Sequence, residues 1–427
     1  MLELFLILFF SIFILISVKR RELFEPAKLF TIIWIVQIIL AAFLFNNAYV
    51  FSGLNFLYIF TCIVVILIGS SIGKSFKVLK KVESKNAEFN INRANRLFYT
   101  ITILAFVYPF IKISQYGFGI NFFLNLNSLL EMNNVIANER YTGGEINTLF
   151  DQILLVFLYL APLYGGYVLA YATKRKWIYY MVLIPPLLVA ITQSMKAGFI
   201  SSVFMFLASR AVSIKIFRSQ FPVITFKTIV KAVFAGLMFF GVLFFSMLLR
   251  TDEINAETIE MIGYRFMNYS LGHMVAFDVW LNNLYDPNTP FELKTFYGIS
   301  NLLGIGERIQ GVFGDFIDYS NANFPESMVT NVFSLFRFLI EDFGVFGSFI
   351  FLFLFGFLSG YSFAILDRCR FSYISIAFLT SSYAYILFSL FSSLWAYTSY
   401  IATFILFYFI LKFSYSKRVI VLNSDDN

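Results

Sequence analysis

Three side chains in the stretch 256–285 have the types and spacing for acid–base and anion chemistry. Arg265, Tyr269 and His273 are spaced i, i+4, i+8, which aligns them along one side of an α-helix. An arginine fork binds phosphate oxygens, and a histidine, with an ordinary pKa of about 6.5, accepts a proton near neutral pH. The alternative interpretation is structural: Arg265 pairs with Glu260 or a lipid phosphate, and His273 packs as a half-buried polar residue.

A second group of charges comprises Arg337, Glu341 and Asp342, at the entrance to a long apolar run. Arg337 and Glu341 are i, i+4 neighbours, so a structural ion pair is one interpretation. A charge at membrane depth is costly unless it is paired or faces a wet cavity, so the same residues are also candidates for a functional site. Together with His273, the carboxylates Glu341 and Asp342 are the candidates for a general base.

Three further cations lie in segments predicted to be on the outer side of a membrane. Arg250 ends a predicted membrane helix, where arginines commonly serve as anchors at headgroup depth. Arg308 lies in a glycine-rich stretch whose glycine spacing differs from a nucleotide-binding fingerprint. Lys196 occupies a tight hairpin at 192–198, where it can also simply extend to the interface. No spacing in these segments indicates a metal site.

The elements that must position these side chains are membrane helices. Of the 427 residues, 59% are hydrophobic and 13% are charged, whereas ordinary soluble domains carry about 25% charged residues. Apolar runs of the roughly 20 residues needed per crossing recur along the chain, which predicts an all-α integral membrane protein. Cys62 and Cys369 provide neither a disulfide framework nor a cysteine-rich metal site. We predict eleven membrane helices, at 2–18, 29–46, 53–72, 97–113, 149–172, 177–193, 198–214, 229–249, 345–366, 371–391 and 394–412.

The distribution of lysine and arginine predicts the orientation. Every second gap between the apolar runs is basic, and these gaps hold 23 of the 32 lysines and arginines. The positive-inside bias makes them cytoplasmic, so the odd number of helices places the N-terminus outside and the C-terminus in the cytoplasm. The same bias explains the formal charge of +7 without nucleic acid.

This topology divides the chain into three parts. Residues 1–249 hold helices 1–8, residues 250–330 form a large outer loop, and residues 331–427 hold helices 9–11 and a short cytoplasmic tail. Within the loop, the stretch 256–285 has a helical apolar stripe and acidic residues near its start, which predicts an amphipathic helix that lies in the membrane interface.

The segment 330–347 carries a resemblance to a known family. It opens with Thr330-Asn-Val-Phe, contains Asp342-Phe-Gly344 just before a glycine-containing helix, and follows the large outer loop. With the small-residue hairpin around Lys196, the chain resembles the bacterial oligosaccharide repeat-unit polymerases, the Wzy-type O-antigen and capsule polymerases. Topology extends the likeness over nearly the whole chain, whereas the motifs cover two short stretches.

The resemblance implies a GT-C-like fold in the bacterial inner membrane, with a periplasmic N-terminus. It implies an enzyme that joins undecaprenyl-diphosphate-linked oligosaccharides into O-antigen, a part of lipopolysaccharide, or into capsular polysaccharide. The expected partners are membrane lipids and a chain-length regulator, without a cofactor, metal or nucleic acid. The diphosphate would bind to cations at headgroup depth, and the candidates are Arg250, Arg265, Arg308, Arg337 and Lys196.

Three other functions are compatible with a chain of this kind. A lipid-linked oligosaccharide flippase is typically built from two comparable bundles with short loops and charges inside its spans, whereas this chain has one long outer loop. An O-antigen ligase differs mainly in its acceptor, so the sequence separates it poorly. A non-catalytic membrane scaffold predicts that replacing the loop's arginines and histidine changes stability alone.

Overall fold

The computed structural model describes residues 23–44, 49–76, 87–119, 148–193, 196–222, 255–286, 293–304, 316–319, 329–368 and 371–417, with scattered positions between 128 and 139 and between 225 and 244. Within this part the chain is an all-α, multi-pass membrane protein, as predicted. Six helices are long and apolar enough to cross a membrane: α1 (Pro26–Leu44), α2 (Leu54–Ser75), α3 (Ile91–Gln115), α4 (Leu149–Leu169), α6 (Lys196–Arg218) and α9 (Leu335–Asp367).

Three further apolar helical segments are shorter than these six. A 3₁₀ segment, Lys176–Leu183, runs into α5 (Ile184–Thr192), whose two prolines lie in its first turn, where a missing N–H costs no hydrogen bond. The other two are α10 (Tyr373–Phe388) and α11 (Thr398–Ser414). Nine of the eleven predicted runs are therefore helical, and the runs at 2–18 and 229–249 lie outside the continuously described residues.

Helices α2 and α9 pack closely against each other, because glycines on each allow the backbones to meet. A Cβ atom on Gly69 would lie 2.3 Å from the carbonyl oxygen of Phe353, and one on Gly356 would lie 2.4 Å from that of Ile66. Gly73 and Gly360, one turn further along each helix, make equally close approaches. Small residues four apart are a common device for such packing in membranes.

Helix α7 (Ala256–Val279) occupies the predicted outer stretch and ends in a π-helical turn, Trp280–Leu284. The first half of α7 has an exposed side, as expected for a helix at the membrane interface, and Ile259 on it is 48% exposed. From Leu271 to Asp278, however, every residue is buried. The expectation of a surface-lying amphipathic helix therefore fits the first half of α7 alone, because the second half is covered by other parts of the protein.

The remaining described elements between α7 and α9 are short. Helix α8 (Tyr297–Leu302) follows a 3₁₀ turn, Lys294–Phe296. Strands β2 (Ile317–Asp318) and β3 (Val329–Thr330) pair antiparallel. Two bonds of Asn268 on α7 join this hairpin: its amide donates to the carbonyl oxygen of Val329 at 2.8 Å, and its Oδ1 accepts from the hydroxyl of Tyr319.

Helix α9 begins at Leu335, earlier than the predicted 345. The first part of α9 carries Arg337, Glu341 and Asp342, which lower its hydropathy, so the sequence predicted a later start. In the structure, Arg337 and Glu341 are paired. At Gly344 the helix is interrupted by a positive φ of 66° with ψ 178°, a conformation that favours glycine. The outer part of α9 is thus a separate short segment that holds Arg337, Glu341 and Asp342.

Contacts between helix ends group the chain as the charge pattern predicts. At one end, Lys215 pairs with Asp367 at 2.8 Å, and strand β1 (Ala87–Phe89) pairs with β4 (Tyr415–Lys417). At the other end, Tyr49 donates a 2.8 Å hydrogen bond to Asp278 of α7. Segments assigned to the same side therefore lie together.

Candidate functional site

A cavity of about 590 Å³ lies at the end of the bundle that carries α7 and the start of α9. Its walls come from the π-helical turn after α7, the turn before α8, strand β2 and the first part of α9. It is lined by Trp280, Leu284, Asp286, Lys294, Phe316, Ile317, Arg337 and Glu341. The cavity thus combines aromatic faces with two cations and two carboxylates.

Arg337 is fixed in this wall by contacts on several sides. Its side chain is 4% exposed, and its Nε donates to Oε1 of Glu341 at 2.7 Å, one helical turn away. Its guanidinium carbon lies 4.0 Å from the ring centroid of Phe333 and 5.3 Å from that of Trp280, within the range of cation–π attraction. The guanidinium is therefore held in one orientation beside the cavity.

Glu341 bridges this arginine to a second cation. Its Oε2 lies 2.5 Å from Nζ of Lys294, and its side chain is 7% exposed. Each carboxylate oxygen thus meets a different positive group. The arginine and the lysine therefore share Glu341, and the cavity wall carries a second carboxylate, Asp286.

Sequence reasoning missed Lys294. Lys294 belongs to no motif, and its partner Glu341 lies 47 positions further along the chain. A cation in an acidic loop was the available signal. Sequence spacing alone could not pair it with Glu341, because that contact depends on the turn before α8 folding back against α9.

Asp342 occupies a different place from Glu341. Its Oδ1 accepts from the backbone N–H of Lys294 and its Oδ2 from that of Thr295, both at 2.5 Å. Asp342 is buried and does not line the cavity. Of the two carboxylates predicted as bases, Glu341 alone borders the cavity within the described residues.

His273 lies on the buried half of α7 and does not line this cavity. It is 1% exposed, and its ring packs edge-on against Trp34 with 6.0 Å between centroids. Neither ring nitrogen has a hydrogen-bond partner within the described part of the chain. Burial lowers the pKa of His273 from 6.5 to about 3. The expected half-buried histidine is instead fully buried and neutral at physiological pH.

Of the predicted phosphate-binding cations, the structure describes Arg265, Arg337 and Lys196, and these three do not line one cavity. Arg265 is exposed on the first half of α7, whereas His273 is buried in the second half. Neither residue lines the cavity. Lys196 begins α6. Arg250 and Arg308 lie outside the described residues. Arg337 is the member of the predicted set that borders the cavity.

Among the described side chains, no cluster of three or more histidine, cysteine, aspartate or glutamate residues could hold a metal ion. Comparisons of the chain with known protein families, with characterised proteins and with solved structures found no match.

Proposed function

We propose that this protein is a glycosyltransferase that polymerises undecaprenyl-diphosphate-linked oligosaccharide repeat units into O-antigen or capsular polysaccharide. The observation that carries the proposal is the cavity in which Arg337 and Lys294 hold the two oxygens of Glu341. It lies at the end of the bundle that the positive-inside bias assigns to the periplasm. That is where a lipid-linked donor presents its diphosphate.

In this proposal, the diphosphate of the donor takes over the two cations from Glu341. An arginine fork and a lysine together match the oxygens of a diphosphate better than those of one carboxylate. The exchange keeps the buried cations compensated throughout. It leaves the buried Glu341 carboxylate without these partners, which raises its affinity for a proton. As the donor reacts, the same cations stabilise the charge that develops on the leaving lipid diphosphate.

Once displaced, Glu341 is free to act as the general base. It accepts the proton of the attacking hydroxyl on the incoming repeat unit, which then forms a bond to the anomeric carbon of the donor. The bond from that carbon to the phosphate oxygen breaks, and its electron pair leaves with undecaprenyl diphosphate. The reaction needs no nucleotide sugar, and the aromatic faces of Trp280 and Phe316 provide apolar surface for sugar rings.

The charge pattern and the resemblance extend the proposal to the cell. The protein would lie in the inner membrane of a bacterium, with its N-terminus in the periplasm and its C-terminus in the cytoplasm. Membrane lipids surround it, and a separate chain-length regulator is an expected partner. A GT-C-like arrangement of about eleven helices remains the proposed fold class.

Deleting the gene and analysing the surface glycan tests the reaction. A polymerase predicts a single repeat unit on the lipid core, whereas a flippase or a ligase predicts no repeat at all. Complementation with Arg337→Ala should leave the single-repeat phenotype, since the diphosphate loses its fork. Arg210→Ala is a matched control, because Arg210 also lies over an aromatic ring, that of Tyr180 at 6.0 Å, outside the cavity; it should restore long chains.

A further inference from the structure

We propose that Asp342 is a positioning residue that fixes the backbone turn of Lys294, so that the lysine ammonium is held at the cavity. This inference rests on the proposed function, since it concerns the same cation pair. It separates the roles of two adjacent carboxylates. Glu341 contacts the substrate site directly, whereas Asp342 acts through Lys294.

The first support is the use that Asp342 makes of its oxygens. Each oxygen accepts one backbone N–H, from Lys294 and from Thr295, at 2.5 Å. These two groups open the 3₁₀ turn Lys294–Phe296, which continues into α8. The first N–H groups of a helical segment have no partner within it, and a carboxylate there also suits the positive end of the helix dipole.

The second support is the strain at the residue before the turn. Leu293 has a positive φ of 53°, a left-handed conformation that bulky side chains seldom adopt. Such a conformation persists where surrounding contacts over-determine it. The two bonds from Asp342 begin at the very next residue, so they are suited to hold the chain in this bend.

The third support is a set of bonds that fastens the same turn from other sides. The hydroxyl of Thr295 donates to the carbonyl oxygen of Phe338 at 3.2 Å, and the hydroxyl of Ser393 donates to the carbonyl oxygen of Thr295 at 3.0 Å. Thr295 itself is fully buried. Hydrogen bonds therefore connect the turn both to the start of α9 and to the chain before α11.

Through these contacts, two neighbouring residues of α9 bind Lys294 at two different groups. Glu341 binds its side-chain ammonium at 2.5 Å, and Asp342 binds its backbone N–H. Consecutive side chains on a helix point about 100° apart, which allows one to reach the cavity and the other the turn. Asp342 does not border the cavity, so it influences an anion there through the placement of Lys294.

A double-mutant cycle on the purified full-length protein tests this role. The probe is farnesyl diphosphate, which has the lipid diphosphate but no sugar. We expect Lys294→Ala and Asp342→Asn each to weaken its binding about 10-fold, because each removes one charge-assisted contact, directly or through the turn. The double variant should bind no more weakly than Lys294→Ala, since residues that act through one another are non-additive. A roughly 100-fold loss in the double variant would overturn the proposal.

A milder variant keeps the test decisive if Asp342→Asn does not fold. Ser393→Ala removes the hydroxyl that donates to the carbonyl oxygen of Thr295 in this turn, and it should weaken binding by about 3-fold when Lys294 is present. In the Lys294→Ala background it should have no further effect; an equal loss in both backgrounds contradicts a role through Lys294. Glu260 is exposed on α7 and lies outside the cavity, so Glu260→Gln controls for the loss of a negative charge.

Turnover measurements separate a positioning residue from a base. With an isolated lipid-linked repeat unit as substrate, Asp342→Asn should raise KM more than it lowers kcat, whereas a base variant would lower kcat at constant KM. Binding of the probe without polymer formation by the wild type would refute the proposed function while leaving the positioning role standing. No binding of the probe by the wild type would refute both.

Discussion

Two carboxylates, Glu25 and Glu341, are each buried among cations at opposite ends of the bundle, and they differ in what surrounds them. Glu25 meets Lys74 at 2.8 Å and Lys28 at 3.6 Å, and it also accepts a 2.9 Å hydrogen bond from Ser70. Its side chain is 3% exposed. By charge and distance alone, this cluster resembles the one around Glu341.

The difference lies in the cations and the space beside them. The side chains of Lys28 and Lys74 are 20% and 32% exposed, so water reaches them, and neither borders the cavity. Arg337 and Lys294 are 4% and 16% exposed, and both line a cavity with aromatic walls. A buried ion pair is thus weak evidence for function by itself. A pair that an incoming anion can reach and exchange with is stronger evidence, and this distinguishes Glu341 from Glu25.

Replacing each carboxylate by its amide should affect the reaction in one cluster and the stability in the other. Glu341→Gln should lower the polymerisation rate by about 100-fold or more, the usual contribution of a general base. Glu25→Gln should leave kcat and KM of the folded protein unchanged and lower the free energy of unfolding by roughly 2 kcal/mol, because buried hydrogen bonds to a charge are weakened. Chain-length ladders and thermal unfolding of the purified variants measure the two effects.

The comparison fails if the two variants behave alike. Equal loss of activity at matched folded concentration would mean that Glu25 is as necessary for the reaction as Glu341, and the cavity would then not separate the two clusters. Normal ladders in Glu341→Gln would remove Glu341 from the reaction, and Arg337 and Lys294 would then keep a binding role at most.

The sequence predicted one half of the Glu341 cluster, and physical reasons explain why the other half was missed. Arg337 and Glu341 are one helical turn apart, so their pairing follows from local geometry. Lys294 reaches Glu341 across 47 positions, through a turn whose conformation depends on Asp342, and no periodicity encodes such a contact. The helices themselves were predictable, because lipid requires long apolar runs.

The bounds of α7 were predictable from the sequence, but the burial of its second half was not. The apolar stripe of 256–285 gave a helix that ends at the expected place. An amphipathic pattern predicts one buried side, and the positions from Leu271 to Asp278 are buried on all sides. Tertiary packing against residues such as Trp34 enclosed His273 there, which a single helical wheel cannot reveal.

His273 is a further buried titratable group, and its ring nitrogens have no hydrogen-bond partner within the described residues. The folded protein holds it neutral down to a pKa of about 3, whereas its ordinary pKa is 6.5. Between these values the unfolded chain binds more protons, so the stability associated with neutral His273 is complete above pH 6.5 and falls as the pH decreases. At pH 5 the loss should be about 2 kcal/mol.

Unfolding of wild type and His273→Gln between pH 5 and pH 7.5 measures this effect. The chain has one histidine, so the difference between the two stability curves isolates its titration. In the variant, the free energy of unfolding should no longer show the decrease that His273 causes as the pH falls below 6.5. Parallel curves would show that water reaches the ring, and His273 would then be a candidate for the proton-accepting role that its sequence position suggested.

The smallest effect tests how far the Glu25 cluster depends on its most exposed cation. Lys74→Met keeps the length of the side chain and removes the charge 2.8 Å from Glu25. Because the lysine is about one-third exposed, solvent screens the pair, and we expect a loss of roughly 0.5 kcal/mol or less in the free energy of unfolding. Lys28 and Ser70 remain beside the carboxylate and limit the cost. A loss as large as that of Glu25→Gln would mean that Lys74 alone compensates Glu25, and the two clusters would then be equally dependent on individual cations.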